Sequence, residues 1–168
     1  MKKDENDRLV PRFPNATYIA GAEEWDAAIN PDERTAAVYS PERYHALKDS
    51  GRLELIDLDH EILPGIRAVR TGGHTEGHFA LKIESEGKKV FYYSDVLPMS
   101  FFIRVPYVAA LDLIPRETMA VKEAMLPEVL ADDVVLAFAH DNEFPLGRVR
   151  REDDRLMVTG VETKEVGA

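Results

Sequence analysis

The chain contains no cysteine. That excludes disulfides, thiolate nucleophiles, and every zinc or iron–sulfur site built on cysteine ligands. Positive charge is scarce: 21 Lys and Arg stand against 31 Asp and Glu, a formal net charge of −10. Nucleic acid and anionic membrane surfaces both reward excess positive charge, so neither is expected as a partner. Long apolar runs are missing too, none approaching the ~18 residues that cross a bilayer. The opening MKKDENDRLVPRF has two lysines but no apolar stretch, so no secretory leader is read there. A cytoplasmic location is the default expectation.

What remains is an ordinary soluble composition: 168 residues, 45% hydrophobic and 31% charged, without repeats, linkers or low-complexity tracts. This length predicts one domain over residues 1–168, large enough to bury a real core.

Residues 1–15, punctuated by Pro11 and Pro14, read as an extended lead-in. ATYIA (16–20) predicts a short strand, and Ala22 to Ile29 a helix that Asn30-Pro31 terminates, because a residue before proline is pushed out of the α region. SPERYHALKDSG predicts a second helix, with Ser40 as N-cap, Pro41 in the first turn and Gly51 at the left-handed exit. Strands are then expected at 53–58 and 66–70, with Pro64-Gly65 as the turn between them. HFALKIES alternates, placing Phe79, Leu81 and Ile83 on one face and Lys82 and Glu84 on the other. Glu86-Gly87 turns the chain into KKVFYYS. Residues 96–114 read as a long packed loop, and Arg116 to Leu126 as a helix with Val121, Ala124 and Met125 on one stripe, ended or kinked at Pro127. VVLAFAH predicts a buried strand, and a last hairpin is expected to close around Glu152-Asp153-Asp154.

Three polar residues end apolar strands: His74 in GGHTEGH, Asp95 after FYYS, and His140 after VVLAFA. They are 21 and 45 residues apart, so no local periodicity accounts for them. Strand ends are where a rigid scaffold presents groups to ligands. Two imidazoles and a carboxylate also form a donor set that borderline divalent metals accept. A hydrogen-bonded structural histidine, or an aspartate capping a turn, is the simpler alternative for each residue taken singly.

TGGHTEGH, Asp95 and the later FAHD together resemble the metallo-β-lactamase superfamily, in its lactonase-like and methyl-parathion-hydrolase-like branch. PNATYIAGAEEWDAA, PDERTAAVYSPERY and AHDNEFPLGRVRRE extend the resemblance over about residues 8–158. It implies an α/β fold, the second half of an αββα sandwich with a mixed sheet flanked by helices. It further implies that His74 ligates one metal, Asp95 bridges two metals as the catalytic carboxylate, and His140 ligates the second. The cofactor would be zinc, with iron or manganese as alternatives. A bridging hydroxide would be the nucleophile on an ester, lactone or phosphoester, since zinc brings the pKa of bound water to about 7.

The family's His-x-His-x-Asp-His motif is not found in these 168 residues, whose histidines are His45, His60, His74, His78 and His140. Asp57-Leu58-Asp59-His60 is only an echo that lacks both leading histidines. The domain is therefore expected to be N-terminally incomplete. With two protein ligands per metal instead of the usual three, each site would be weak. Three routes stay open: all three residues on one metal, donors supplied by a complementing N-terminal half, or a catalytically incompetent remnant acting as an assembly module. A half-sandwich leaves an apolar sheet face to cover, and a homodimer is the expected solution.

Around these residues, Gly72, Gly73 and Gly77 are read as turn formers, and Thr75 as a residue that orients His74 or caps its turn. His78 is expected to pack rather than ligate, and His45 and His60 to lie at the surface. Phe101, Phe102 and Tyr107 either wall a substrate pocket or fill core. The lactonase subgroup is expected to carry a tyrosine soon after the bridging aspartate. Here Val96, Leu97 and Pro98 follow Asp95, which weakens the case for lactones.

Overall fold

A computed structural model describes residues 1–131 and 133–162. It divides into two compact units, Met1–Leu58 and Asp59–Ala168.

In the first unit, β1 (Lys2–Lys3) and β2 (Leu9–Val10) form a small antiparallel pair. The Asp4 carboxylate closes the turn between them by accepting the Asn6 and Arg8 amides, each at 2.9 Å. Then come β3 (Tyr18–Gly21), α1 (Ala22–Ile29), α2 (Pro41–Asp49) and β4 (Leu53–Ile56). β3 and β4 pair in parallel, which needs a crossover, and the two helices supply it. Trp25, Ala28 and Ile56 are buried, with the Trp25 ring edge-on to Tyr44 at 6.3 Å. Gly51 takes the left-handed exit at φ +68°, whereas Ser40 makes no side-chain cap to the first turn of α2.

The second unit is built on a seven-stranded sheet. Its strands are β5 (Glu61–Leu63), β6 (Ile66–Arg70), β7 (Phe79–Ser85), β8 (Lys88–Tyr92), β9 (Val134–Ala137), β10 (Leu146–Glu152) and β11 (Arg155–Gly160), with α3 (Pro115–Ala131) between β8 and β9. The order across the sheet is β11-β10-β9-β8-β7-β6-β5. Every pair is antiparallel except β8 and β9, which α3 joins as a parallel crossover. The tight turns carry the expected left-handed residues: Glu86 and Gly87 after β7, Asp153 and Asp154 after β10.

The core lies between α3 and one sheet face. Ala80, Phe91, Val134, Leu136 and Val149 meet Met125, Leu126 and Val129, and Tyr93, Leu97 and Ile103 close the margin. Two helix expectations need correction. Pro127 does not end α3, which runs on to Ala131. Proline removes one backbone hydrogen bond, but Val129 is buried beyond it, so packing holds the last turn. The buried stripe is Thr118, Lys122, Met125, Leu126 and Val129, while Ala124 is exposed. Two polar members hid that stripe from a hydrophobicity pattern.

Candidate metal-binding site

Strand direction explains why distant residues meet. β6 is antiparallel to β7 and β7 to β8, so β6 and β8 run the same way, and β9 is parallel to β8. The C-terminal ends of all three therefore open on one rim, the usual place for ligands on sheets of this kind. His74 follows β6, Asp95 follows β8 and His140 follows β9.

His74 sits on a turn made tight by Gly72 and Gly73, at φ +64° and +86°. Both glycines face the first turn of α3. A Cβ on Gly72 would lie 2.4 Å from the Glu117 carboxylate, and one on Gly73 would lie 2.6 Å from Thr118 Oγ1. The Gly73 amide donates to Glu117 Oε2 at 3.1 Å, and the carbonyls of Gly73 and His74 accept the Ile114 and Leu113 amides. Arg70 adds an ion pair to Glu117 at 3.1 Å. Asp95 lies on a short 3₁₀ turn, Ser94–Val96, entered through Ser94 at φ +47°. His140 is anchored by its amide, which donates to the Pro98 carbonyl at 2.9 Å.

The Asp95 carboxylate stands between the two imidazoles. Its Oδ1 is 2.9 Å from His140 Nε2, and its Oδ2 is 4.0 Å from His74 Nε2. On the far side of the His74 ring, Nδ1 is 2.9 Å from Oδ1 of Asp112, whose side chain is fully buried. Asp112 Oδ2 in turn accepts the Thr118 hydroxyl at 2.7 Å.

Two loops that carry the site are stitched together by Asp141. Its carboxylate accepts the Ser100 amide at 2.8 Å and hydroxyl at 2.5 Å, and the Glu143 and Phe144 amides at 3.0 and 2.8 Å. Desolvation pushes this carboxyl up, but the hydrogen bonds from Phe144, Ser100 and Glu143 together hold it below the usual carboxylate range. Lys122, wholly buried, donates to the carbonyls of Phe102 (2.8 Å) and Tyr107. Burial brings its ammonium down to about 8, against an upward pull from Asp112.

The donors suit zinc, iron or manganese chemically: two imidazoles and a carboxylate on one rim. Among the described residues, however, no three His, Asp or Glu side chains are arranged to hold a metal ion as they stand. His78 is buried, with Nδ1 2.6 Å from Thr71 Oγ1 and its ring edge-on to His74 at 5.9 Å. His45 and His60 are exposed. Phe102 packs on the core, whereas Phe101 and Tyr107 line an open cleft of about 390 Å³ with Arg104, Arg155 and Met157, a lining that includes none of the three rim residues.

Asp112, Thr118, Lys122 and Asp141 were not singled out by sequence. Asp112 is the one charged residue in VPYVAALDLIP, and such isolation within an apolar loop is itself a signal of burial with a partner. Asp141 opens DNEF, a stretch suited to an aspartate capping its own turn.

No protein-family model and no curated protein sequence matches the chain. Solved structures do. A probable metal-dependent hydrolase from Staphylococcus aureus superposes with a TM-score of 0.78 at 28% identity, over 90% of this chain and 54% of that one. The dizinc quorum-quenching lactonase AidC gives 0.76 at 20% identity, over 95% and 59%. The hydrolase AbOPH of the β-lactamase superfamily gives 0.76 at 18%, over 91% and 57%. The chain thus spans somewhat more than half the length of these structures, and its fold is part of the metallo-β-lactamase fold.

Proposed function

We propose that this chain belongs to a metal-dependent hydrolase acting on an ester, lactone or phosphoester, with His74, Asp95 and His140 as metal ligands. The observation that carries the reading is the Asp95 carboxylate bracketed by two imidazole Nε2 atoms at 2.9 and 4.0 Å. The 28% identity to a probable metal-dependent hydrolase supports it. A divalent ion held there supplies activation of water and polarisation of the substrate's carbonyl or phosphoryl oxygen. Asp95 places its two oxygens toward different rings, which suits a carboxylate shared between two positions. The glycine turn and the Pro98 carbonyl fix where each ring stands.

A second reading rests on the lack, among the described residues, of three donors set for a metal. In it, the rim gains further donors from another polypeptide or a second copy, and the chain alone is an assembly module without turnover.

Purified chain, loaded with zinc or manganese, is assayed on ester, lactone and phosphoester reporters. Hydrolysis that EDTA removes, added metal restores, and Asp95→Asn lowers is expected. The Asp95→Asn loss should exceed the roughly 10–100-fold typical of a metal site's outer partners. Failure of every metal to bind or to support hydrolysis would refute the hydrolase reading for the chain by itself and favour the second.

A further inference from the structure

We infer that Asp112, clamped by Thr118, is a positioning residue that fixes His74 in the Nδ1–H tautomer and so turns the Nε2 lone pair toward Asp95. The inference builds on the reading of His74 as a metal ligand, but its geometry stands without the metal. An ionised carboxylate has acceptors only, so the 2.9 Å contact between Asp112 Oδ1 and His74 Nδ1 places the proton on the ring. The other oxygen is already engaged by the Thr118 hydroxyl at 2.7 Å, which stops the carboxylate from rotating away. Both Asp112 and Thr118 are buried, so water does not compete for either bond.

The backbone is built to the same end. The Asp112 amide donates to Ala109, and the Leu113 and Ile114 amides donate to His74 and Gly73. The loop bearing the acceptor is thereby tied to the turn bearing the ring. Thr118 reaches its place only because residue 73 has no Cβ. The buried Lys122 ammonium also interacts electrostatically with Asp112. A free imidazole in water has no such bias imposed on it. Metal-ligating histidines are commonly oriented by a carboxylate in this manner, and here the carboxylate arrives from 38 residues away in a loop without regular structure.

The test is ¹⁵N–¹H correlation of the imidazole nitrogens in the metal-free, full chain, with the ring neutral. The expected spectrum has His74 protonated on Nδ1, and Asp112→Ala or the apolar Asp112→Val, neither of which offers an acceptor, moves the proton to Nε2. Zinc titration against a competing chromophoric chelator should then show affinity lowered about 10–100-fold in either variant. A wild-type His74 protonated mainly on Nε2 overturns the inference. So does a tautomer that stays unchanged in whichever variant folds. A chain with the expected tautomer that binds no zinc leaves the inference standing and counts instead against the hydrolase reading.

Discussion

Gly73 and Gly87 both hold left-handed backbone, at φ +86° and +76°, but their surroundings differ. A Cβ on Gly87 meets nothing within 4 Å, whereas one on Gly73 lies 2.6 Å from Thr118 Oγ1 and 2.8 Å from its amide nitrogen. Alanine at 87 therefore adds only the left-handed penalty of about 1–2 kcal/mol. Alanine at 73 adds that penalty and also forces α3 back from the turn. Chemical denaturation should show Gly73→Ala costing more than Gly87→Ala by about 1–3 kcal/mol, the usual cost of forced overpacking. Equal losses would mean that Thr118 can retreat freely. The same approach of helix to turn decides whether Thr118 still reaches Asp112, so Gly73→Ala should also loosen the hold on the His74 ring.

At the scale of elements, α3 shows what its sequence could and could not disclose. Hairpins β7–β8 and β10–β11 were legible because alternation and left-handed turn residues coincide. The inward stripe of α3 was misread because Lys122 and Thr118 belong to it, and a pattern of apolar residues counts both as surface. Their burial follows from partners elsewhere: backbone carbonyls of Phe102 and Tyr107 for one, Asp112 for the other. Lys122 thereby gains a measurable pH dependence. Burial lowers it from an ordinary 10.5 to about 8 in the folded chain, so between those values the unfolded state binds more protons. Stability contributed at this position should rise as pH goes from about 8 to 10.5, by up to about 3 kcal/mol. Below pH 8 the full cost of burying the ammonium is present. Denaturation midpoints of wild type and Lys122→Met, measured across that range, should diverge in favour of wild type as pH rises. A constant difference would show that the ammonium is as well accommodated inside as in water.

For the molecule as a whole, the rim was legible in outline. An apolar strand ending in His or Asp is readable three times over, but only strand direction brings the three ends together, and no residue pair within a strand encodes that. The sheet's second face carries the remaining consequence. Cross-strand register puts Ile66 beside Ile83, Leu81 beside Tyr92, and Ile83 beside Val90 on the face opposite Phe91 and Leu136. The unit's single α-helix among the described residues packs on the Phe91 side. These side chains of β6, β7 and β8 remain half-buried, while Ala68 and Val135 beside them are buried; joined across three strands they form the type of surface that marks an interface. A two-fold pairing of such faces is self-complementary, and a stable one needs about 1,000 Å² or more of buried area. Light scattering at micromolar concentration should therefore give a dimer mass, and Ile83→Glu should shift it to the monomer, because a carboxylate at the centre of that face would be buried without a partner. A wild-type chain that scatters as a monomer rules out the dimer and leaves a different polypeptide as the occupant, which mixing with a candidate partner and repeating the mass measurement would reveal.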